Sequence, residues 1–194
     1  MKIIFCESKV IKKVIFLDRD GTVNKEVNYL YKISDFEFIP GTIEAIKTFH
    51  DLGYLVIILT NQAGVARGYF SEKDIKSLHD FIDKKLSEGN TYIDAYYYCP
   101  HHPDGALAKY KKVCNCRKPN TGMLEIAVSD LEKKGYTINL SESIIIGDKE
   151  IDVKTGINFG IGRCILVKSG HKLKENEFEN FEIYNNLLDF ANNL

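Results

Sequence analysis

The chain has 194 residues, 44% of them hydrophobic and 27% charged, enough apolar material to bury one core, so a single domain over residues 1–194 is expected. With 26 Lys and Arg against 27 Asp and Glu, the formal net charge is -1, and no overall electrostatic bias favours nucleic acid or an anionic membrane. The longest apolar runs, such as Tyr54–Leu59, fall far short of the roughly 18 consecutive apolar residues of a spanning helix, and the first residues carry no leader pattern, so a cytoplasmic protein is expected.

In chain order, Val14–Leu17 is a short β-branched and apolar run that reads as a strand, and Thr42–Leu52 as a helix stopped by Gly53. Leu55–Leu59 is a second strand. Ser71–Leu86 is amphipathic, with Ile75, Leu78, Ile82 and Leu86 on one face and Ser71 with Asp74 as its N-terminal cap. Tyr92–Tyr98 follows as a strand, then Met123–Lys134 as a helix with Leu124, Ala127, Val128 and Leu131 apolar and Gly135 as its stop. Ser143–Ile146 and Cys164–Val167 are further strands, Lys172–Asn180 is the one linker-like polar stretch, and Asn185–Asn193 is a last helix. Strands alternating with helices imply an α/β protein with a Rossmann-like parallel sheet and helices on both faces. Ligands of such sheets bind beyond the carboxyl ends of the strands.

The residues at those ends are chemically biased. Asp18-Arg19-Asp20-Gly21-Thr22 follows the first strand, Thr60-Asn61-Gln62 the second, and Gly147-Asp148 leads on to Asp152 after the fourth. If the strand geometry persists past Leu17, Asp18 and Asp20 project to one side and share a cation. Asp148 adds a third oxygen donor, and a hard-oxygen set suits Mg²⁺ with a phosphate completing its shell. Mg²⁺-assisted phosphoryl transfer is the expected chemistry.

Five cysteines stand at 6, 99, 114, 116 and 164. Cys6 and Cys164 lie among apolar neighbours and read as ordinary buried thiols. The other three crowd together with His101 and His102. Cys99-Pro100-His101 and Cys114-Asn115-Cys116, separated by residues 102–113, present four soft or borderline donors that suit a closed tetrahedral Zn²⁺. Fixing Cys116 would also fix the adjacent cations Arg117 and Lys118.

The motifs Asp18-Arg-Asp-Gly-Thr22, Thr60-Asn-Gln62, Arg117-Lys-Pro119 and Gly147-Asp148…Asp152, in this order over about Val14–Val167, resemble those of the haloacid dehalogenase-like phosphatases. Within them the chain is most similar to the histidinol-phosphate and heptose-bisphosphate phosphatase group, which carries a small zinc-bound loop (here about 99–116) and no large cap domain. The resemblance implies that Asp18 is the nucleophile and Asp20 the general acid and then base. It implies that Thr60 and Lys118 offset phosphoryl charge and that Asn61 adds an amide donor. Mg²⁺ would be held by Asp18, the main-chain carbonyl of Asp20, and Asp148. Asp152 would orient Lys118 or Lys149, and Zn²⁺ would take Cys99, His101, Cys114 and Cys116.

The segment Asn24–Tyr31, together with Thr60–Phe70 and Cys99–Pro103, resembles the heptose 1,7-bisphosphate enzymes more than the histidinol-phosphate ones. That implies removal of the 7-phosphate, with Glu26, Val27, Asn28, Tyr29, Asn61, Gln62, Ala63, Arg67, Arg117 and Lys149 on the substrate. Arg67, Arg117 and Lys118 are suited to the phosphate that is retained. Asn28 replaces a frequent Gly and Ala63 a common Ser, which leaves the anomer open. The expected partner is a small sugar bisphosphate bound by a monomer, without nucleic acid. Alternatives are a histidinol-phosphate or broader sugar phosphatase and a phosphate-binding regulatory module, with a nucleic-acid 3′-phosphatase ranked last.

Overall fold

The computed structural model describes residues 10–171 and 181–194. Cys6 and the Lys172–Asn180 stretch lie outside the described residues. Among the described residues seven strands form one sheet: β1 (Val10–Leu17), β2 (Tyr54–Asn61), β3 (Ala95–Cys99), β4 (Tyr136–Ile138), β5 (Ile144–Gly147), β6 (Arg163–Val167) and β7 (Glu182–Tyr184). The order is β3-β2-β1-β5-β6-β7, β4 pairs with the first residues of β1, and every pairing is parallel.

β1 is central because its second half, Val14–Leu17, is apolar on both faces and wholly buried, as a strand covered from both sides must be. Ile15 and Leu17 face one core layer, and Val14 and Phe16 the other. The first layer receives Ala45, Ile46 and Phe49 of α1 (Thr42–Asp51), Leu78, Ile82 and Leu86 of α3 (Glu72–Glu88), and Phe190 of α6 (Leu187–Ala191). The second receives Leu124, Ala127 and Leu131 of α4 (Gly122–Lys133). Each of these leucines, isoleucines and phenylalanines contributes about 1.5–3 kcal/mol by leaving water. The chain runs from β1 to β2 and β3 on one side and later to β5 and β6 on the other, so the β1 carboxyl end sits at the switch in strand order.

α3 starts at the expected cap: Ser71 Oγ accepts the Asp74 amide, and Asp74 Oδ2 accepts the Ser71 amide. The strand expected from Tyr92 begins only at Ala95. Tyr92 is exposed, and although the Asp94 amide donates to Val56 O at 2.9 Å, the Val56 amide goes to the Asp94 carboxylate at 2.7 Å rather than to a main-chain carbonyl. Two helices carried no strong apolar stripe and were not expected: α2 (Ala63–Arg67) and α5 (Glu150–Phe159). Among the described residues no helix is long and apolar enough to cross a membrane.

Candidate active site

β1 does not run on into the motif. It stops at Leu17, the Asp18 amide bonds Ile146 O at 2.9 Å, and the chain turns so that Val23 and Thr22 donate to Arg19 O. Gly21 has φ +88, and a Cβ there would lie 2.2 Å from Asp148 Oδ2, so only glycine fits. Asp18 and Asp20 nonetheless reach one cavity.

The turn buries Arg19 completely. Its Nη2 and Nε lie 2.8 and 3.1 Å from the two oxygens of Asp20, Nη2 also donates to Leu30 O, and Nη1 lies 3.5 Å from His79 Nε2. Asn24 Nδ2 and Gln62 Nε2 donate to Asp20 at 3.0 Å each. Burial alone would raise the Asp20 pKa, but the Arg19 charge and these donors hold it below the usual carboxylate range. Nothing in the sequence marks Arg19 for this role, because a charged residue at a strand end ordinarily faces water.

Lys118 is buried among carboxylates. Its Nζ lies 2.8 Å from Asp18 Oδ1, 2.6 Å from Asp152 Oδ1 and 2.7 Å from Leu59 O. Burial opposes its charge, but Asp152 and Asp18 outweigh that and raise its pKa. Asp152 Oδ2 accepts the Lys149 amide at 3.1 Å, so one carboxylate both starts α5 and holds the lysine. Asn61 binds the Lys118 main chain from both ends of its amide, Nδ2 to Lys118 O at 3.2 Å and Oδ1 from Lys118 N at 3.1 Å. The amide donor expected for the substrate is thus engaged in holding Lys118. Gln62 is likewise engaged, with Asp20 and with Thr60 Oγ1 at 2.8 Å. Thr60 accepts there, which leaves its own proton free to donate.

Asp18, Asp148 and Asp152 offer carboxylate oxygens within 4.8 Å of one another, all buried. Burial and then the Asp18 charge push Asp148 up to about 6. Three carboxylates face the ammonium of Lys118, while the nearby ammonium of Lys149 is shared with a fourth carboxylate, Glu26, which leaves an excess of negative charge, and Asp148 Oδ1 is buried with no hydrogen-bond partner. This donor set fits a hard divalent cation such as Mg²⁺.

The cavity has a volume of about 240 Å³. It gathers Asp18, Asp20, Glu26, Asn28, Tyr29, Thr60, Asn61, Gln62, Ala63, Arg67, Arg117, Lys118 and Lys149 from the expected set, together with Gly64, His102, Ile151 and Asp152. Two expected residues are not on its wall. Val27 packs against the core, and Asp148 lies wholly buried. Tyr29, with φ 58 in the left-handed region, sits edge-on to Tyr69 at 4.7 Å. Arg67 Nε is buried without a partner, and Arg117 reaches only the His101 carbonyl at 3.4 Å. Among the described residues no carboxylate pairs with either guanidinium. Lys149 instead pairs with Glu26 at 3.1 Å.

Beside the cavity, Cys99, His101, Cys114 and Cys116 form a second group. Cys116 Sγ is 2.9 Å from Cys99 Sγ and 3.4 Å from Cys114 Sγ, and 3.3 Å separates it from His101 Nδ1. Hydrogen bonding from Cys99 leads the causes that lower the Cys116 thiol to about 5. Three thiols and an imidazole nitrogen, all within 4.8 Å of one another, are a donor set that fits Zn²⁺ without an open position. His102 is outside the group and accepts the Asp104 amide through Nδ1 at 3.1 Å. His102 instead lines the cavity. Tyr110 ties the loop to α3 by donating to Glu72 Oε1.

Carboxylates around a lysine at the carboxyl end of a central parallel strand define the class of the haloacid dehalogenase-like phosphatases, and solved structures agree. A putative phosphatase of that type from Mesorhizobium loti matches with TM-score 0.76 and 30% identity, over 86% of this chain and 77% of that one. The D,D-heptose 1,7-bisphosphate phosphatase from B. bronchiseptica, solved with magnesium and phosphate, matches with TM-score 0.77 and 28% identity, over 93% and 97%. The chain belongs to the polynucleotide kinase 3 phosphatase family, whose profile matches residues 13–181. Its curated relatives include D-glycero-alpha-D-manno-heptose-1,7-bisphosphate 7-phosphatase of Photorhabdus laumondii, 49% identical over 179 residues, 92% of this chain and 94% of the relative. The D-glycero-beta-D-manno-heptose-1,7-bisphosphate 7-phosphatase of Escherichia coli K12 is 39% identical over 157 residues, 80% of this chain and 79% of the relative.

Proposed function

We propose that this protein hydrolyses the 7-phosphate of D-glycero-D-manno-heptose 1,7-bisphosphate through a phosphorylated aspartate at position 18. The observation that carries this reading is the contact of Lys118 with Asp18 at 2.8 Å on the wall of a cavity that also presents Asp20. Lys118 holds the Asp18 carboxylate in place, and Asp152 and Asn61 hold Lys118.

In the first step an Asp18 oxygen bonds to phosphorus while the bond from phosphorus to the sugar oxygen breaks. The sugar alkoxide takes a proton from Asp20. Asp20 gains that proton as the phosphate dianion enters beside it, since nearby like charge raises a carboxylate pKa. In the second step the Asp20 carboxylate removes a proton from water, which attacks phosphorus and releases phosphate from Asp18. Thr60 donates its hydroxyl to a phosphoryl oxygen. Asp18, the Asp20 carbonyl and Asp148 are the proposed ligands of Mg²⁺, which when bound supplies charge neutralisation at the phosphoryl oxygens.

Arg67 and Arg117 are guanidiniums without carboxylate partners beside the same cavity, and a substrate with a second phosphate supplies the missing anions. That separates a bisphosphate from histidinol phosphate, which has one phosphate. Zn²⁺ at the Cys/His group holds the loop that carries Arg117 and Lys118. Reduced thiolate ligands fit a reducing compartment, and the cytoplasm is the location this reading carries. The test is phosphate release from both anomers of the heptose bisphosphate, from histidinol phosphate, from hexose phosphates and from a 3′-phosphorylated oligonucleotide. The heptose bisphosphates should be preferred by kcat/KM, the α anomer over the β in keeping with the 49% relative. Preference for any other member of the panel overturns the substrate.

A further inference from the structure

The turn after β6 is fastened to the turn after β1. Ser169 Oγ donates to Gly21 O at 2.8 Å. Gly170 approaches so closely that a Cβ on it would lie 2.1 Å from Asp148 Oδ2 and 2.6 Å from Gly21 Cα. The next residue, His171, places Nδ1 2.6 Å from that same Oδ2. Gly21, Gly170 and His171 therefore enclose Oδ2, while Oδ1 of the same buried carboxylate has no partner. Nδ1 of His171 also lies 4.0 Å from Glu26 Oε2, whose charge is shared with Lys149.

We propose that His171 is a positioning residue for the divalent cation: its Nδ1–H holds Oδ2 of Asp148 and so fixes Oδ1 as the oxygen offered to the metal. This rests on the reading above that Asp148 is a metal ligand. A free carboxylate rotates about its last bond and can turn either oxygen, or both, toward a cation. One occupied by a directed donor has a single oxygen and a single orientation left, and loss of such outer partners typically weakens metal binding about 10–100-fold. Two features argue against an incidental surface contact. The glycine at 170 is required by the approach, and Ser169 makes an independent bond to the Gly21 carbonyl in the motif turn. His171 is half-exposed, yet its ring nitrogen bonds a carboxylate that is not exposed at all.

The test is Mn²⁺ titration of the metal-stripped magnesium site in the full-length, zinc-loaded protein, followed by electron paramagnetic resonance of free Mn²⁺. Wild type, His171→Ala, His171→Asn and Asp148→Asn are compared, with thermal midpoints measured without Mn²⁺. His171→Ala should weaken Mn²⁺ about 10–100-fold at an unchanged midpoint, and His171→Asn, whose amide restores a donor near Nδ1, should recover most of the loss. Wild-type affinity in His171→Ala, or no recovery in His171→Asn, overturns the proposal. Asp148→Asn distinguishes the two levels. If it binds Mn²⁺ like wild type, the ligand assignment itself fails. If it loses Mn²⁺ while His171→Ala does not, only the role of His171 fails.

Discussion

Lys118 Nζ and Asp18 Oδ1 are 2.8 Å apart, with side-chain exposures of 2% and 8%. A charge pair this dry is strongly coupled: removing one partner of a buried pair costs about 3–5 kcal/mol, because the other charge remains without compensation. Lys118→Met should therefore lower the urea midpoint and reduce kcat by about 10²–10³ through loss of charge stabilisation. An unchanged kcat in a folded Lys118→Met protein would show that the ammonium is outside the chemistry.

The two unpaired guanidiniums define a second experiment. Arg67→Gln and Arg117→Gln should each raise KM for the heptose bisphosphate by about tenfold or more, since hydrogen bonds to charged groups contribute about 1.5–3 kcal/mol. Hydrolysis of the corresponding heptose 7-phosphate should change little. Equal losses on both substrates would place the guanidiniums on the cleaved phosphate or in the fold.

Removal of metal from the Cys/His group tests the loop. Cys116→Ser, or exhaustive chelation followed by Mg²⁺ replacement, should lower the thermal midpoint and cut kcat/KM by at least about tenfold, because a structural Zn²⁺ contributes folding free energy directly. Calorimetry and assay of the same zinc-quantified samples check it, and unchanged values in zinc-free protein would contradict it.

His79 carries a pH dependence. Burial first, and then the Arg19 charge, lower its pKa from 6.5 to about 3, so it is neutral in the folded protein at neutral pH. As pH falls below 6.5 the unfolded chain takes up a proton that the folded one refuses, so this contribution to stability is full above 6.5 and is lost progressively down to about 3. Between pH 7.5 and 5 the stability advantage of wild type over His79→Gln should shrink by about 2 kcal/mol. A difference that is constant across this range, measured by urea unfolding, would contradict the assignment.

Much of this was legible in the sequence, for physical reasons. β1, β2, β5 and β6 announce themselves because buried parallel strands must be apolar on both faces, and Asp18, Thr60 and Asp148 follow because ligands meet such sheets at the strand ends. β4 and β7 are only three residues each and carry no periodicity. α5 was hidden because Lys149, Glu150, Asp152 and Lys154 dilute its apolar stripe, although Asp152 at its start was recognised as a partner of Lys118 or Lys149. Composition also cannot say where an amide points. Asn61 and Gln62, expected on the substrate, do line the cavity, and the structure adds what the sequence does not show, that Asn61 binds the Lys118 main chain and Gln62 binds Asp20 and Thr60. Arg19 is not legible either, because a charged residue at a strand end ordinarily faces water, and only the fold shows its guanidinium wholly buried against Asp20.

The central claim is that phosphate is carried on Asp18. Enzyme mixed with heptose bisphosphate, quenched within one turnover and reduced with borohydride should yield homoserine in place of aspartate at position 18, found by peptide mass spectrometry and absent in Asp20→Asn mixed without substrate. An intact aspartate at position 18 alongside a reduced acyl phosphate at another residue, or phosphate released in the first turnover with no acyl phosphate trapped at all, would contradict it.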